Sequence, residues 1–356
     1  METIEALQWL KKNDLFDWCE KSAVFLKKIF IPCLGIQNEK LLIIGDKGAP
    51  GKEISAILSG GYYLAAQTMN LNAKLVIQEP KKRGSIADDD VIRSLSELEE
   101  NNIVFINLSN TLGSIRELGK SFRKLCKKRG YRFVSTPSVG ALERDKVSCI
   151  LDAINIDYRL LQSQHRKVKE QLDDAKELHV TTKAGTELYY NVEGSTSIAA
   201  DGNYVLPGTG GNLPAGEVYI PPNGKKVEGV FVIDVCSRNR TQTTIVKTPI
   251  KLTIKDGSIT EISGGEEAKL LEETLDWAAG ISKHPSAVRR IGEFGIGLNP
   301  NAKVIGATIV DEKALGTAHI GIGSNYWFGG SIYAKIHLDQ VCNSPTVMID
   351  GKKIEL

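Results

Sequence analysis

Histidine is scarce in this chain, with five residues among 356. Cysteine is sparse as well: Cys19, Cys33, Cys126, Cys149, Cys236 and Cys342 are scattered, with no CxxC pair. That scatter argues against a cysteine zinc site. In a chain this long it reads as reduced thiols of a cytoplasmic protein, packed as small hydrophobes. Long apolar runs are missing too, and nothing approaches the ~18 residues of a membrane span. The amino terminus, METIEALQWLKKNDLFDWCEKS, is a charged amphipathic helix pattern without the apolar core of a signal peptide. Neither sign of charge dominates. The 45 basic and 43 acidic residues leave +2, which gives no reason to expect nucleic acid or an anionic membrane as a partner. No GxGxxG or GK[ST] is present. The one Gly/Pro loop after an early strand, DKGAPG from Asp46, therefore reads as a strand-to-helix turn, placed where it could line a cleft.

What is present describes an ordinary globular chain, 42% hydrophobic and 25% charged. Its length exceeds the size at which one core stops growing, so two domains are expected, 1–175 and 176–356. The first half alternates strands with helices. LLIIGD (41–46), KLVIQ (74–78), IVFIN (103–107) and YRFVS (131–135) are separated by helix patterns at 53–70, 90–101 and 113–128. Short apolar runs between longer amphipathic segments predict βαβ units and a parallel sheet. A polar helix at 157–177 follows as the connection, with His165 on a solvated face. Beyond it, ELHVTTKAGTELYYNV (177–192) alternates around a turn and predicts a hairpin. Further strands are expected at 230–236 and 243–262, and Ser263 is expected to open one amphipathic helix. The fold class is thus α/β: an N-terminal parallel-sheet α/β domain followed by a mostly β (α+β) domain.

The candidate chemistry lies in that second half. NLPAGEVYIPP holds Glu217, IGEFGIGLNP holds Glu293, GTAHIGIGSNY holds His319, and IHLDQV holds His337 and Asp339. Each polar residue interrupts or ends a short apolar strand, where an ionised carboxylate is costly unless paired or bound to a metal. Residues i and i+2 of a strand face one side, so His337 and Asp339 can aim an imidazole and a carboxylate at one point. With Glu217, Glu293 and His319 they make five N/O ligands. That set suits borderline divalent ions, and three carboxylates with two histidines suit a pair of them.

These segments resemble the aminopeptidase T/aminopeptidase S metallopeptidases over residues 180–350. Glu217 matches the glutamate of a Pro-x-Gly-Glu-Val segment and Glu293 a glutamate in a Gly-rich strand. His319 and Tyr326 match a histidine followed seven residues later by a tyrosine, and His337 and Asp339 match a terminal His-x-Asp. The resemblance implies a homodimer that removes N-terminal residues from short peptides with two Zn, Co or Mn ions. Glu293 would also shuttle a proton, Tyr326 would steady the oxyanion, and Trp327 and Phe328 would shape the pocket or a dimer contact. The His319-to-His337 spacing is compact for that group. The alternative is a ring-cleaving dioxygenase of the 2,5-dihydroxypyridine type, which resembles this chain in length and holds one Fe(II) with two histidines and an aspartate. His337 and Asp339 would then be joined by His319 or by His284, which otherwise reads as a loop residue. A further alternative is a non-catalytic binding protein on the same scaffold.

Overall fold

The structure is a computed structural model that describes residues 1–119, 121–224 and 226–354. LLIIGD forms the strand Leu41–Asp46, buried at every position. That burial explains why its apolar run is continuous rather than alternating. It lies in a five-stranded parallel sheet ordered Ala73–Gln78, Leu41–Asp46, Ile103–Asn107, Arg132–Thr136, Gly210–Asn212. Helices Ile54–Thr68, Asp89–Glu97 and Phe122–Arg129 connect its strands. The helix expected at 113–128 is only partly formed, as a short turn Arg116–Leu118 and then Phe122–Arg129. Gly113 and Gly119 adopt φ of +90° and +145°, which breaks the helical pattern there. Asp46 ends the first strand and accepts hydrogen bonds from the Gly48 amide (3.1 Å), the Ser109 amide (2.8 Å) and the Ser109 hydroxyl (2.5 Å). The DKGAPG segment is therefore a carboxylate-pinned turn.

The chain forms two compact units, Met1–Arg159 with Gly202–Ala215, and Leu160–Asp201 with Gly216–Leu356. The division falls near the start of the Tyr158–Asp173 helix, earlier than the expected 175/176, and the 202–215 segment belongs to the first unit because it supplies that unit's last sheet strand. His165 is not on a solvated face: it is fully buried, with Nδ1 donating to the Leu161 carbonyl at 2.8 Å. Among the described residues no helix is long and apolar enough to cross a membrane.

The second unit holds two antiparallel seven-stranded sheets. One runs Ser258–Ser263, Ile250–Lys255, Val227–Ile233, Glu187–Asn191, Glu177–Thr181, Thr346–Ile349, Lys352–Lys353 and contains the expected hairpin. The other runs Thr243–Ile245, Cys236–Arg238, His337–Asn343, Thr317–Gly323, Ile291–Gly297, Glu217–Ile220, Ile198–Ala200. Helix Glu266–Gly280 starts at Gly265 without a side-chain cap. Ser263 instead ends the strand before it. The second sheet is two-sided. Phe294, Ile296, Ala318, Ile320, Ile322, Leu338 and Cys342 join Leu178, Val180, Phe231 and Leu252 of the first sheet and Leu271 and Leu275 of the helix in one core. Each of the buried Leu, Ile, Val and Phe side chains among them contributes about 1.5–3 kcal/mol. The α/β class, a parallel-sheet unit with a mostly antiparallel β unit, is the architecture observed.

Candidate metal centre

The face of the second sheet opposite the core carries the polar residues. Strand register sets them out. Glu217 stands opposite Gly297, His319 opposite Gly295, and Gly321 between Glu293 and Asp339. Directly paired residues share a face, so four strands present Glu217, Glu293, His319, His337 and Asp339 to one side. The glycines between them are there for space. A Cβ on Gly295 would lie 2.2 Å from the His319 ring, and one on Gly321 would lie 2.7 Å from the His337 ring and 2.8 Å from Glu293 Cβ. The alternation HIGIG and EFGIG is thus a pattern of ligand and gap.

The five groups converge as two trios that share Glu293. Ligand atoms of Glu217, Glu293 and His319 lie within 4.8 Å of one another, and so do those of Glu293, His337 and Asp339. His319 Nε2 is 3.2 Å from Glu293 Oε1 and 3.5 Å from Glu217 Oε2. His337 Nε2 is 2.9 Å from Asp339 Oδ1 and 3.4 Å from Glu293 Oε2. The His337 ring is fixed from behind, because its Nδ1 lies 2.8 Å from the Ser324 carbonyl oxygen. A carbonyl can only accept, so Nδ1 carries a proton and Nε2 faces the carboxylates, where its lone pair becomes available to an ion once its own proton leaves. A metal-binding imidazole is oriented in this way.

The electrostatics agree with a cation site. Burial pushes the Glu293 carboxyl up despite the hydrogen bond from His319. Burial would lower both imidazoles, but the surrounding carboxylates outweigh it. His319 is raised to about 9 by Glu293 and Glu217, and His337 to about 10 by Asp339 and Glu293. Burial would likewise raise Asp339, yet the adjacent His337 charge holds it well below the usual carboxylate range. Asp339 Oδ1 is buried, and its contact among the described residues is the ion pair with His337 Nε2 at 2.9 Å, which does not meet hydrogen-bond geometry. A buried carboxylate oxygen beside an oriented imidazole and a second carboxylate fits a divalent ion with N/O preference.

The other sequence-predicted residues fall outside the trios. Tyr326 is 66% exposed in the turn Tyr326–Phe328, with its ring edge-on to Tyr333. Trp327, 57% exposed, stands edge-on to the His337 ring at 4.8 Å, and buried Phe328 packs against Tyr219. His284 is exposed before the turn Pro285–Ala287 and joins neither trio. Two charged residues that sequence pattern did not single out belong to the centre. Lys313 is fully buried, 3.1 Å from Glu217 Oε1 and paired also with Glu312. In IVDEKALG they read as an ordinary charged turn. The signal was the apolar neighbours on both sides.

Against known proteins, residues 155–355 match the sequence profile of the NicX family, described as 2,5-dihydroxypyridine 5,6-dioxygenase. A curated protein of that description from Pseudomonas putida is 27% identical over 194 residues, covering 52% of this chain and 54% of its own length. The chain thus spans about half the length of the curated relative it matches. Two solved structures share the fold. The 2,5-dihydroxypyridine dioxygenase of Pseudomonas putida KT2440 has a TM-score of 0.72 at 18% identity, over 95% of this chain and 96% of that one. The aminopeptidase AmpT of Thermus thermophilus has a TM-score of 0.62 at 14% identity, over 97% and 100%. These findings reverse the order of the two enzyme readings. The sequence likeness is to a dioxygenase, and the likeness to the aminopeptidase is one of fold.

Proposed function

The chain belongs to the NicX family of 2,5-dihydroxypyridine 5,6-dioxygenase, and from that premise we propose that it is a non-haem Fe(II) dioxygenase that opens a hydroxylated, nitrogen-containing aromatic ring. Glu293, His337 and Asp339 would hold the ion. The observation that carries this reading is the His337 imidazole, locked by the Ser324 carbonyl so that Nε2 faces two carboxylates. The matched segment contains all of these residues. Bound there, ferrous iron would supply the redox chemistry of ring opening and open positions for substrate and O₂.

The chain's own residues do the rest. Ser324 keeps the proton of His337 on Nδ1. Trp327 and Phe328 wall one side of that imidazole with aromatic surface, which suits a flat ring. The two-histidine, one-aspartate set expected for such an enzyme is not the compact set here, since the trio around His337 has one histidine and two carboxylates. His319 approaches through Glu293 instead.

The metallo-aminopeptidase reading stays second. One feature favours it: the other trio, Glu217, Glu293 and His319, shares Glu293 with the first, as a bridging carboxylate between two ions would require. Metal-free protein loaded anaerobically with Fe(II), and separately with Zn, Co or Mn, decides between them. Oxygen consumption matched to loss of 2,5-dihydroxypyridine in the iron form is expected. Release of amino acid from an amino-acid amide by the Zn, Co or Mn form, with no oxygen uptake by the iron form, would reverse the order again. His337→Ala is expected to lose the ion and activity under either reading.

A further inference from the structure

Arg238 ends the strand Cys236–Arg238, next to the strand His337–Asn343. The register pairs Cys236 with Val341 and Ser237 with Gln340. The Ser237 hydroxyl donates to Gln340 Oε1 at 2.7 Å, so these two share the sheet face away from the centre. One step further along, Arg238 falls opposite Asp339, on the face that carries His337, Asp339, Glu293 and His319. The side chain is partly buried, and desolvation presses on its charge, with Asp339 opposing. Nevertheless its guanidinium makes no hydrogen bond, ion pair or ring contact among the described residues. Other arginines of this unit are used. Arg289 pairs with Glu272 and Asp276, Arg290 donates to the Gly224 carbonyl, and Arg240 lies over the Trp277 ring.

A partly buried cation without a partner is costly. It feels the charge of Asp339 yet stands beyond ion-pair distance of it. Its planar fork of donors matches two anionic oxygens, or one oxygen approached from two nitrogens. We infer that Arg238 is a substrate-binding residue: its guanidinium takes an anionic oxygen group of the ring, an ionised hydroxyl or a carboxylate, and sets the orientation of that ring at the metal centre. The inference rests on the oxygenase reading of the same site and adds the charge of the substrate. Recognition is of an anion, and the ring's other oxygen is left for the ion.

The test uses the iron-loaded full chain without oxygen, so that ligands bind and do not turn over. Affinities are measured for 2,5-dihydroxypyridine, for a hydroxypyridine carboxylate and for an uncharged methoxypyridine. Arg238→Gln is expected to weaken whichever anionic ligand is native to the site by about 10- to 100-fold, the range of one charged hydrogen-bonded contact. The methoxypyridine should change by less than about threefold, and metal content should stay that of the wild type. Arg238→Lys, which keeps the charge and loses the fork, should fall between. It also serves as the test if Arg238→Gln does not fold. The hydroxypyridine and the carboxylate arms tell which anion the site prefers. Equal affinity of wild type and Arg238→Lys for both anions, or of wild type and a folded Arg238→Gln, overturns the inference. So does loss of metal from either variant, since Arg238 would then be a counter-charge to the ligands. If the wild type takes up iron and binds the carboxylate through Arg238 but does not consume oxygen with 2,5-dihydroxypyridine, the oxygenase reading fails and the inference stands.

Discussion

His319 and His337 hold protons that a metal ion must displace. Both are raised above their ordinary 6.5, to about 9 and about 10, because the carboxylates of the centre outweigh the effect of burial. In the metal-free chain their contribution to stability is therefore complete below the unfolded value of 6.5 and fades as the pH rises through 9 and 10. Metal binding shows the opposite trend. A divalent ion takes the neutral imidazoles, so uptake at pH 7 releases protons and its apparent affinity climbs with pH up to that range. Calorimetry in two buffers of different ionisation enthalpy measures the release, and uptake without protons would mean that the ion does not bind these imidazoles. Lys313 is the other charged residue whose removal has a clear sign. Burial would lower its ammonium, but Glu217 and Glu312 raise it above its usual range. Lys313→Met leaves two buried carboxylates without their cation and is expected to cost about 3–5 kcal/mol in urea unfolding. Adding Glu312→Gln removes one of those charges and should recover part of the loss. A single variant as stable as the wild type would show that water reaches the cluster.

At the scale of the strands, the glycines make the site. Gly321 sits between Glu293 and Asp339 in register, and a Cβ there would come within 2.8 Å of Glu293 and 2.7 Å of the His337 ring. Its backbone is ordinary extended strand, so Gly321→Ala strains the contact and not the fold. The expected outcome is metal affinity lowered about 10- to 100-fold, with circular dichroism unchanged. Metal binding equal to the wild type would show that the imidazole is not held where the strand register puts it. This part of the molecule was legible in the sequence because strand periodicity and glycine spacing are local. The spacing within HIGIG and His-x-Asp alone states which side each residue faces. Lys313 and Glu312 were not legible, because their burial comes from the tertiary placement of a turn after the short helix Thr308–Asp311. Arg238 was missed for a related reason: its significance appears only when Cys236–Arg238 pairs with His337–Asn343, a distant segment of the chain. His165 misled in the other direction. A helix rich in Lys, Arg, Glu and Gln reads as solvated on every face, and only the buried stripe that holds Leu161, His165, Val168 and Leu172 shows otherwise.

For the whole molecule, the candidate metal centre lies within one of the two units. Every residue of both ligand trios, together with Lys313 and Arg238, lies in the second unit, and the first has its own parallel sheet and its own core around Leu42, Val76, Val104 and Phe133. The alternation of strands and helices was enough to foresee that division in kind. The segment Gly202–Ala215, which leaves the second half to supply Gly210–Asn212 to the first sheet, was beyond local pattern. A ligand stabilises what it binds by RT ln(1 + [L]/Kd), about 2.7 kcal/mol at a hundredfold excess over Kd. The ion should therefore act on the second unit alone. The four tryptophans make this measurable, because Trp9 and Trp18 belong to the first unit and Trp277 and Trp327 to the second. Paired replacements by Phe leave reporters in one unit at a time. With Trp9→Phe and Trp18→Phe, the remaining fluorescence should report unfolding at higher denaturant in the presence of iron and at lower denaturant with a chelator. With Trp277→Phe and Trp327→Phe, the midpoint should not move while the iron content equals that of the wild type, a check needed because Trp327 lies 4.8 Å from the His337 ring. Equal shifts in both variants would show that the units unfold as one cooperative body, and no shift in either would remove the metal centre from the second unit.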